Sequence, residues 1–84
     1  MINENDRNRL FGTKESLLDE VAEEMRLANL TPQKAQKIIE FIEDQHKESE
    51  RLLREDKASI DDIVMTLRGL VQALLRLPDV SYLD

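Results

Sequence analysis

The segment Ile60–Leu77 constrains the fold of this chain more than any other part of the sequence. Eleven of its eighteen residues are apolar. Placed on a helix at about 100° per residue, nine of them form a continuous arc of roughly 160°. These nine residues are Ile60, Ile63, Val64, Leu67, Leu70, Val71, Leu74, Leu75 and Leu77. Because one neighbouring helix cannot cover so wide an arc, the segment predicts a helix that packs against at least two others.

The composition also favours a small all-α domain. The chain has 84 residues, of which 36% are charged and 4% aromatic, with only two glycines and two prolines. Such a profile is typical of a helical protein rather than a sheet protein, and this length supports one thin core. No apolar run reaches the roughly 18 residues that a membrane-spanning helix needs, and the polar first residues do not resemble a signal peptide. We therefore predict a cytoplasmic protein that makes no membrane contact.

Two capping signals mark the starts of the second and third helices. Thr31 precedes Pro32, an arrangement in which threonine caps the helix and proline occupies its first turn, where its missing N–H costs nothing. Ser59 stands three residues before Asp62 in a weaker form of the capping box. Short connections before each of these helices predict antiparallel neighbours.

The first helix has weaker signals. Thr13 follows Gly12 and is a suitable N-cap, and Asn29 is a suitable left-handed residue at the C-terminal end. These residues predict a short first helix, followed by a long antiparallel hairpin of helices two and three. The predicted boundaries are an N-terminal arm over 1–12, a three-helix domain over 13–78 with helices at about 14–28, 32–56 and 60–77, and a C-terminal tail over 79–84.

A short first helix leaves one end of this hairpin without a third wall. Helix one, as predicted, covers helix two only to about His46, so apolar residues beyond that point need another cover. Each fully buried aliphatic side chain contributes roughly 1.5–3 kcal/mol, and a small domain has little stability to lose. Either Leu10 and Phe11 or a second copy of the chain must therefore close this end. We predict a homodimer with an interface of Leu52, Leu53, Ile60, Ile63, Val64 and Leu67.

The charge balance indicates the class of partner. Asp and Glu number 18 against 12 Lys and Arg, for a formal net charge of −6. This excess disfavours nucleic acid and anionic membranes, which bind through basic side chains, and it favours a basic protein partner. The residues predicted to face such a partner are Glu20, Glu24, Glu40, Asp44 and Glu48.

A DNA-binding alternative rests on the turn before helix two. If that turn belongs to a helix-turn-helix motif, the recognition helix begins with a basic and polar patch. The patch comprises Gln33, Lys34, Gln36 and Lys37, after which the helix becomes acidic. This alternative is a small DNA-binding regulator.

A metal-binding alternative rests on the only histidine of the chain. Glu43 and His46 form a Glu-x-x-His pair, a spacing that places both side chains on one helix surface, as in di-iron carboxylate bundles. Counting back across the first turn brings Glu20 to a similar level. In a homodimer, Glu43, His46 and Glu20 would supply two sets of metal ligands. The competing interpretation is a histidine at the edge of the core that hydrogen-bonds to nearby polar groups.

A second metal alternative rests on the Glu20-x-x-Glu23 pair. This pair resembles the magnesium-binding helix of all-α nucleotide pyrophosphohydrolases of the MazG type. In that family a Glu-x-x-Asp pair on a later helix completes the site. The corresponding position here reads Ser59-Ile60-Asp61-Asp62, with serine where the family has glutamate, so one metal ligand is missing.

Other catalytic signatures are absent from the sequence. It contains no Gly-rich phosphate loop, no nucleophile–His–acid set and no cysteine. We therefore predict no enzymatic activity and no cofactor. The predicted function is a protein-interaction module (an adaptor, regulator or inhibitor, analogous to small phage-encoded inhibitors) that self-associates and docks a partner. Apolar helix faces flanked by acidic ridges would make these contacts.

Overall fold

The computed structural model describes residues 2–77, and this range contains three α-helices and no strand. The helices are α1 (Glu4–Arg26), α2 (Pro32–Arg54) and α3 (Ile60–Arg76). The all-α prediction is confirmed. The predicted C-terminal tail over 79–84 lies outside the described residues.

The starts of α2 and α3 lie where the capping signals predict them. The Thr31 hydroxyl accepts a hydrogen bond from the Lys34 amide at 3.2 Å, and the Ser59 hydroxyl accepts one from the Asp62 amide at 3.2 Å. Each hydroxyl thereby satisfies a first-turn amide that has no partner within its own helix. Both helices end within two residues of the predicted boundary, a difference of the size that fraying produces.

Helix α1 is longer than predicted, and both the arm over 1–12 and the start of helix one at residue 14 are wrong. The helix begins at Glu4, where the Asn3 side chain accepts a hydrogen bond from the Asp6 amide at 2.8 Å. At 23 residues it equals α2 in length, so the predicted short first helix is also wrong. Asparagine is among the strongest N-cap residues, and the acidic first turn suits the positive end of the helix dipole.

The two residues taken as boundary signals, Gly12 and Thr13, both lie inside α1. Gly12 is exposed and helical, at a cost of about 1 kcal/mol relative to alanine, which is less than the burial of a neighbouring leucine contributes. Thr13 is buried, and its hydroxyl donates to the Arg9 carbonyl oxygen at 2.8 Å instead of capping a helix. A threonine can make this bond to the preceding turn of its own helix, so it is compatible with a helix interior.

Helices α1 and α2 both end with a left-handed residue that is not glycine. Ala28 has φ 63°, and Asp56 has φ 58°. After α1, the Asn29 amide donates to the Glu24 carbonyl oxygen at 2.9 Å and the Ala28 amide donates to the Met25 carbonyl oxygen at 3.0 Å, the bond pair of a Schellman motif. The left-handed residue is therefore Ala28, one position before the predicted Asn29.

The ends of the helices meet in a small apolar cluster that defines their directions. Leu10, near the start of α1, packs with Leu53, near the end of α2, and with Ile63, near the start of α3. Helix α2 is therefore antiparallel to both α1 and α3, which run parallel to each other. Within residues 2–77, two side-chain hydrogen bonds also join the parallel pair, namely Arg9–Asp61 at 2.7 Å and Gln72–Glu20 at 2.7 Å.

The larger part of the core fills the rest of the bundle. It consists of Leu17, Val21, Leu30, Ala35, Ile38, Ile42, Leu67 and Val71. Together the two clusters line the whole hairpin, because α1 extends past the level of His46. Helix α1 is the third wall that the prediction lacked at this end. Of the two predicted covers, the structure has Leu10, with 1% of its surface exposed. The adjacent Phe11 is 55% exposed and takes no part in either cluster.

Candidate interaction surface

The residues predicted to form a dimer interface belong to the interior of one bundle. Leu53, Ile63 and Leu67 are buried, and Leu52, Ile60 and Val64 are half-buried. Leu52 and Ile60 pack against the cluster that Leu10 closes. The extended α1 therefore covers Leu53, Ile63 and Leu67 within one chain, whereas a role of the three half-buried residues in self-association stays a prediction.

The predicted acidic residues are mostly engaged in local hydrogen bonds. Glu20 binds Gln72, Glu24 accepts from Asn29 at 2.9 Å, Glu40 accepts from Gln36 at 3.4 Å, and Glu48 binds Arg51. Arg51 also binds Glu55, and its guanidinium lowers the pKa of Glu48. Asp44 is exposed. The ridge on α2 is therefore a mixed-charge surface, in which Arg51 pairs with both Glu48 and Glu55.

The basic patch of the DNA-binding alternative is also partly engaged. Lys34 is half-buried and donates to the Leu77 carbonyl oxygen, and Gln36 is bonded to Glu40. Gln33 and Lys37 are exposed. Of the two lysines in the patch, Lys34 is therefore held against the end of α3, whereas Lys37 makes no side-chain contact of this kind within the described residues.

His46 lies between α1 and α2 and pairs with Glu50 rather than with Glu43. Its Nε2 atom is 3.0 Å from a Glu50 carboxylate oxygen, whereas its buried Nδ1 atom has no hydrogen-bond partner among the described residues. Burial lowers the pKa of His46; Glu50 opposes this effect and the nearby Lys14 adds to it. A neutral ring with its proton on Nε2 fits this site, since a second proton on Nδ1 would be a donor without an acceptor.

The candidate metal ligands do not form a cluster. In the range 2–77, no group of three or more His, Asp or Glu side chains is placed to hold a metal ion. Glu20, Glu43 and His46 therefore do not converge within one chain.

The carboxylates that resemble the MazG-type motif are close together but occupied. A cleft of about 340 Å³ between α1 and α3 is lined by Glu20, Glu23 and Glu24 opposite Arg76. Each carboxylate accepts a side-chain hydrogen bond: Glu20 from Gln72, Glu23 from Arg26, and Glu24 from Asn29. Ser59, at the position where that family has a glutamate, caps α3 instead.

The outer face of α3 presents exposed apolar residues with no cover in the monomer. The buried residues of this helix, Ile63, Leu67 and Val71, define the side that faces the core. On the opposite side Met65 is 74% exposed, and Leu70, at the flank towards α2, is 42% exposed. We define the outer face of α3 by its exposed residues Asp62, Met65, Thr66, Gly69, Ala73 and Arg76.

Gly69 is the middle residue of this outer face. A Cβ atom built on Gly69 would meet no atom within 4 Å, so packing inside the monomer does not require glycine here. Glycine in a helix interior costs roughly 0.5–1 kcal/mol relative to alanine. The missing side chain leaves a flat spot on the exposed surface of α3, as it also does at Gly12 on α1.

Sequence reasoning missed this face although its signal was present. Met65 and Ala73 are the two apolar residues of Ile60–Leu77 that fall outside the predicted arc. Residues outside an apolar arc normally face water, and a single exposed methionine needs no explanation. Only the structure shows that Met65 adjoins Gly69 and Ala73 on one uncovered surface.

No family model, curated protein or solved structure matches the chain. No helix in residues 2–77 combines the length and the apolar character needed to cross a membrane.

Proposed function

We propose that this protein is a non-enzymatic protein-interaction module, an adaptor, regulator or inhibitor, that self-associates through the outer face of α3. The observation that carries the proposal is the exposure of Met65, which is 74% open to solvent beside Gly69 on a well-packed helix. Methionine is flexible and polarisable and is common on protein-binding surfaces.

The packing of α3 supports binding through a surface that is already rigid before a partner arrives. The inner side of α3 is anchored by Leu67 and Val71, both almost fully buried, so the helix needs no ordering when a partner binds. Full burial of a side chain such as Met65 or Leu70 contributes roughly 1.5–3 kcal/mol. Met65 lies on the outer face and Leu70 at its flank, so after the entropic cost of association they give a binding surface of modest affinity.

The electrostatics support a partner that tolerates or prefers acidic surfaces. The net charge of −6 repels nucleic acid and anionic membranes at long range. The outer face of α3 itself carries one acidic and one basic residue, Asp62 and Arg76, so it does not share the acidic bias. The absence of cysteine fits a protein that works in the cytoplasm, where disulfides are rare.

The chemistry of the described residues supports a binding role rather than catalysis. His46 is bonded to Glu50 and desolvated, and the carboxylates of the α1–α3 cleft each have a hydrogen-bond donor. His46 and these carboxylates each form a hydrogen bond with a neighbouring side chain, and none of those neighbours is a nucleophile.

The test compares solution masses by light scattering from about 10 μM to about 1 mM. The unaltered protein is expected to gain mass as its concentration rises, and Met65→Glu is expected to remain a monomer because a charge replaces the central apolar contact. Phe11→Glu is the matched control, since Phe11 is also exposed but lies on α1. Far-UV circular dichroism checks that all three proteins are folded. A monomeric unaltered protein, or a Met65→Glu variant that associates equally well, would overturn the proposal.

A further inference from the structure

The outer face of α3 is complementary to itself when one copy is turned end to end about Gly69. Asp62 precedes Gly69 by seven residues and Arg76 follows it by seven, which is about two helical turns in each direction. Met65 precedes Gly69 by four residues and Ala73 follows it by four. This rotation therefore exchanges the positions of Asp62 and Arg76, which have opposite charges. It also exchanges the positions of Met65, a large apolar residue, and Ala73, a small one.

We propose that the partner of this face is a second copy of the chain, docked with its α3 antiparallel and a two-fold axis beside Gly69. This arrangement rests on the self-association proposed above and specifies its geometry. In it, Asp62 faces the partner subunit's Arg76, and Arg76 faces the partner subunit's Asp62. A two-fold interface repeats each contact, so one chain needs only one surface patch.

The charges select the antiparallel arrangement. Within residues 2–77 the side chains of Asp62 and Arg76 make no hydrogen bond or ion pair, although Arg76 also borders the α1–α3 cleft with its three glutamates. Several other charged residues are paired directly, as in Arg9–Asp61 and Glu48–Arg51–Glu55. A parallel pair of α3 helices would place Asp62 against Asp62 and Arg76 against Arg76, and juxtaposed like charges oppose association. The antiparallel pair replaces both repulsions with attractions.

The side chains near the axis allow two helices to approach closely. Gly69 has open space where a Cβ would lie, so the two backbones can pass near each other at this point. Four residues away on either side, exposed Met65 fits against the small side chain of the partner subunit's Ala73. A long residue opposite a short one fills the gap that two helices leave away from their crossing point.

The size of the interface predicts a weak dimer. Helix α3 has 17 residues and is therefore about 25 Å long. One pair of helices of this length buries less than the roughly 1,600 Å² of a standard stable interface, so a dissociation constant in the micromolar range is expected. The dimer would form and separate readily with changes in concentration.

Charge reversal tests the arrangement directly. Asp62→Lys and Arg76→Glu, taken singly, are each expected to weaken dimerisation by roughly tenfold or more, because each converts two attractions into two repulsions. The combined variant Asp62→Lys/Arg76→Glu restores opposite charges and is expected to recover most of the lost affinity. Asp44→Lys, on the exposed surface of α2, is the control for Asp62→Lys, because it makes the same change in net charge. Sedimentation equilibrium measures the five dissociation constants, that of the unaltered protein included, and far-UV circular dichroism checks folding.

Engineered cysteines provide a second readout that does not depend on charge, since the chain has no cysteine of its own. A mixture of Asp62→Cys and Arg76→Cys proteins is expected to form the disulfide-linked heterodimer under mild oxidation faster than either protein cross-links alone. Faster cross-linking of Asp62→Cys by itself, or single charge reversals that bind as well as the unaltered protein, would overturn the antiparallel arrangement while leaving self-association intact. An unaltered protein that stays monomeric at every concentration would overturn the proposed function as well.

Discussion

Truncation of Leu10 tests whether the N-terminal part of α1 is a structural element of the bundle. Leu10 is 1% exposed and closes the cluster that contains Leu53 and Ile63. Replacing a buried leucine with alanine removes its transfer free energy and leaves a cavity, at a cost of about 2–5 kcal/mol. We expect Leu10→Ala to cost about 3 kcal/mol, near the middle of that range, because the cluster lies at one end of the bundle where neighbours can partly relax.

This loss is large for a domain of this size. Small domains have free energies of unfolding of about 5–15 kcal/mol, and each kcal/mol corresponds to a shift of about 4–8 °C in melting temperature. Leu10→Ala is therefore expected to lower the melting temperature by about 12–24 °C. Urea unfolding followed by far-UV circular dichroism gives the change in free energy directly, with an unchanged slope if the variant keeps the same fold.

The adjacent residue provides a matched control. Phe11 is larger than Leu10 but 55% exposed, so Phe11→Ala is expected to change the free energy of unfolding by no more than about 0.5 kcal/mol. Equal effects of the two substitutions, or a small effect of Leu10→Ala, would refute the reasoning. Either result would mean that residues 4–12 do not pack as part of α1.

Three further predictions concern backbone conformation and pH. Ala28→Gly is expected to stabilise the protein by about 1 kcal/mol, because Ala28 has φ 63°, whereas Ala22→Gly, inside the last part of α1, is expected to destabilise it by about the same amount; urea unfolding compares the two. Gly12→Ala is expected to add about 0.5–1 kcal/mol, since a Cβ at that position meets nothing within 4 Å, and a loss measured by the same method would contradict the helix there. Burial lowers the pKa of folded His46, so as the pH falls below about 6.5 the unfolded state takes up more protons and stability decreases. His46→Gln should make the free energy of unfolding depend less on pH between about pH 7.5 and 5.5. If the variant has the same slope as the unaltered protein, the effects of Glu50 and of burial on the pKa of His46 cancel, contrary to this prediction.

The sequence predicts the hairpin of α2 and α3 well because local signals there agree with one another. Thr31 and Ser59 cap their helices in the structure as the capping rules predict, and Pro32 occupies the first turn of α2. These signals act over three or four residues and do not depend on the rest of the fold. The wide apolar arc of α3 also predicts correctly that two other helices cover it.

The start of α1 could not be predicted because local and tertiary terms oppose each other there. Gly12 disfavours a helix by about 1 kcal/mol, and Thr13 resembles a cap. The burial of Leu10 against α2 and α3 outweighs both, and that gain appears only once the bundle has formed. The error at α1 also misplaced the predicted interface, since residues such as Leu53 were expected to be open when Leu10 in fact covers them.

The candidate site was missed for a related reason. Periodicity identifies the side of α3 that faces the core, and a residue outside this arc is assigned to solvent without regard to its neighbours. The outer face becomes visible only when exposure and spacing are combined: Met65 is open, Gly69 has empty space around it, and Asp62 and Arg76 lack partners within the described chain.

Concentration-dependent NMR of the unaltered protein tests the central claim most directly, because it reports both association and its location. Amide shifts recorded between about 20 μM and about 1 mM are expected to change at Met65, Gly69 and Ala73 as the dimer forms. The amides of Phe11 and Asp44, on other helices, are expected to stay constant. Shifts that do not change over the whole range, or that change mainly on α1 or α2, would contradict the account of α3 as the interaction surface.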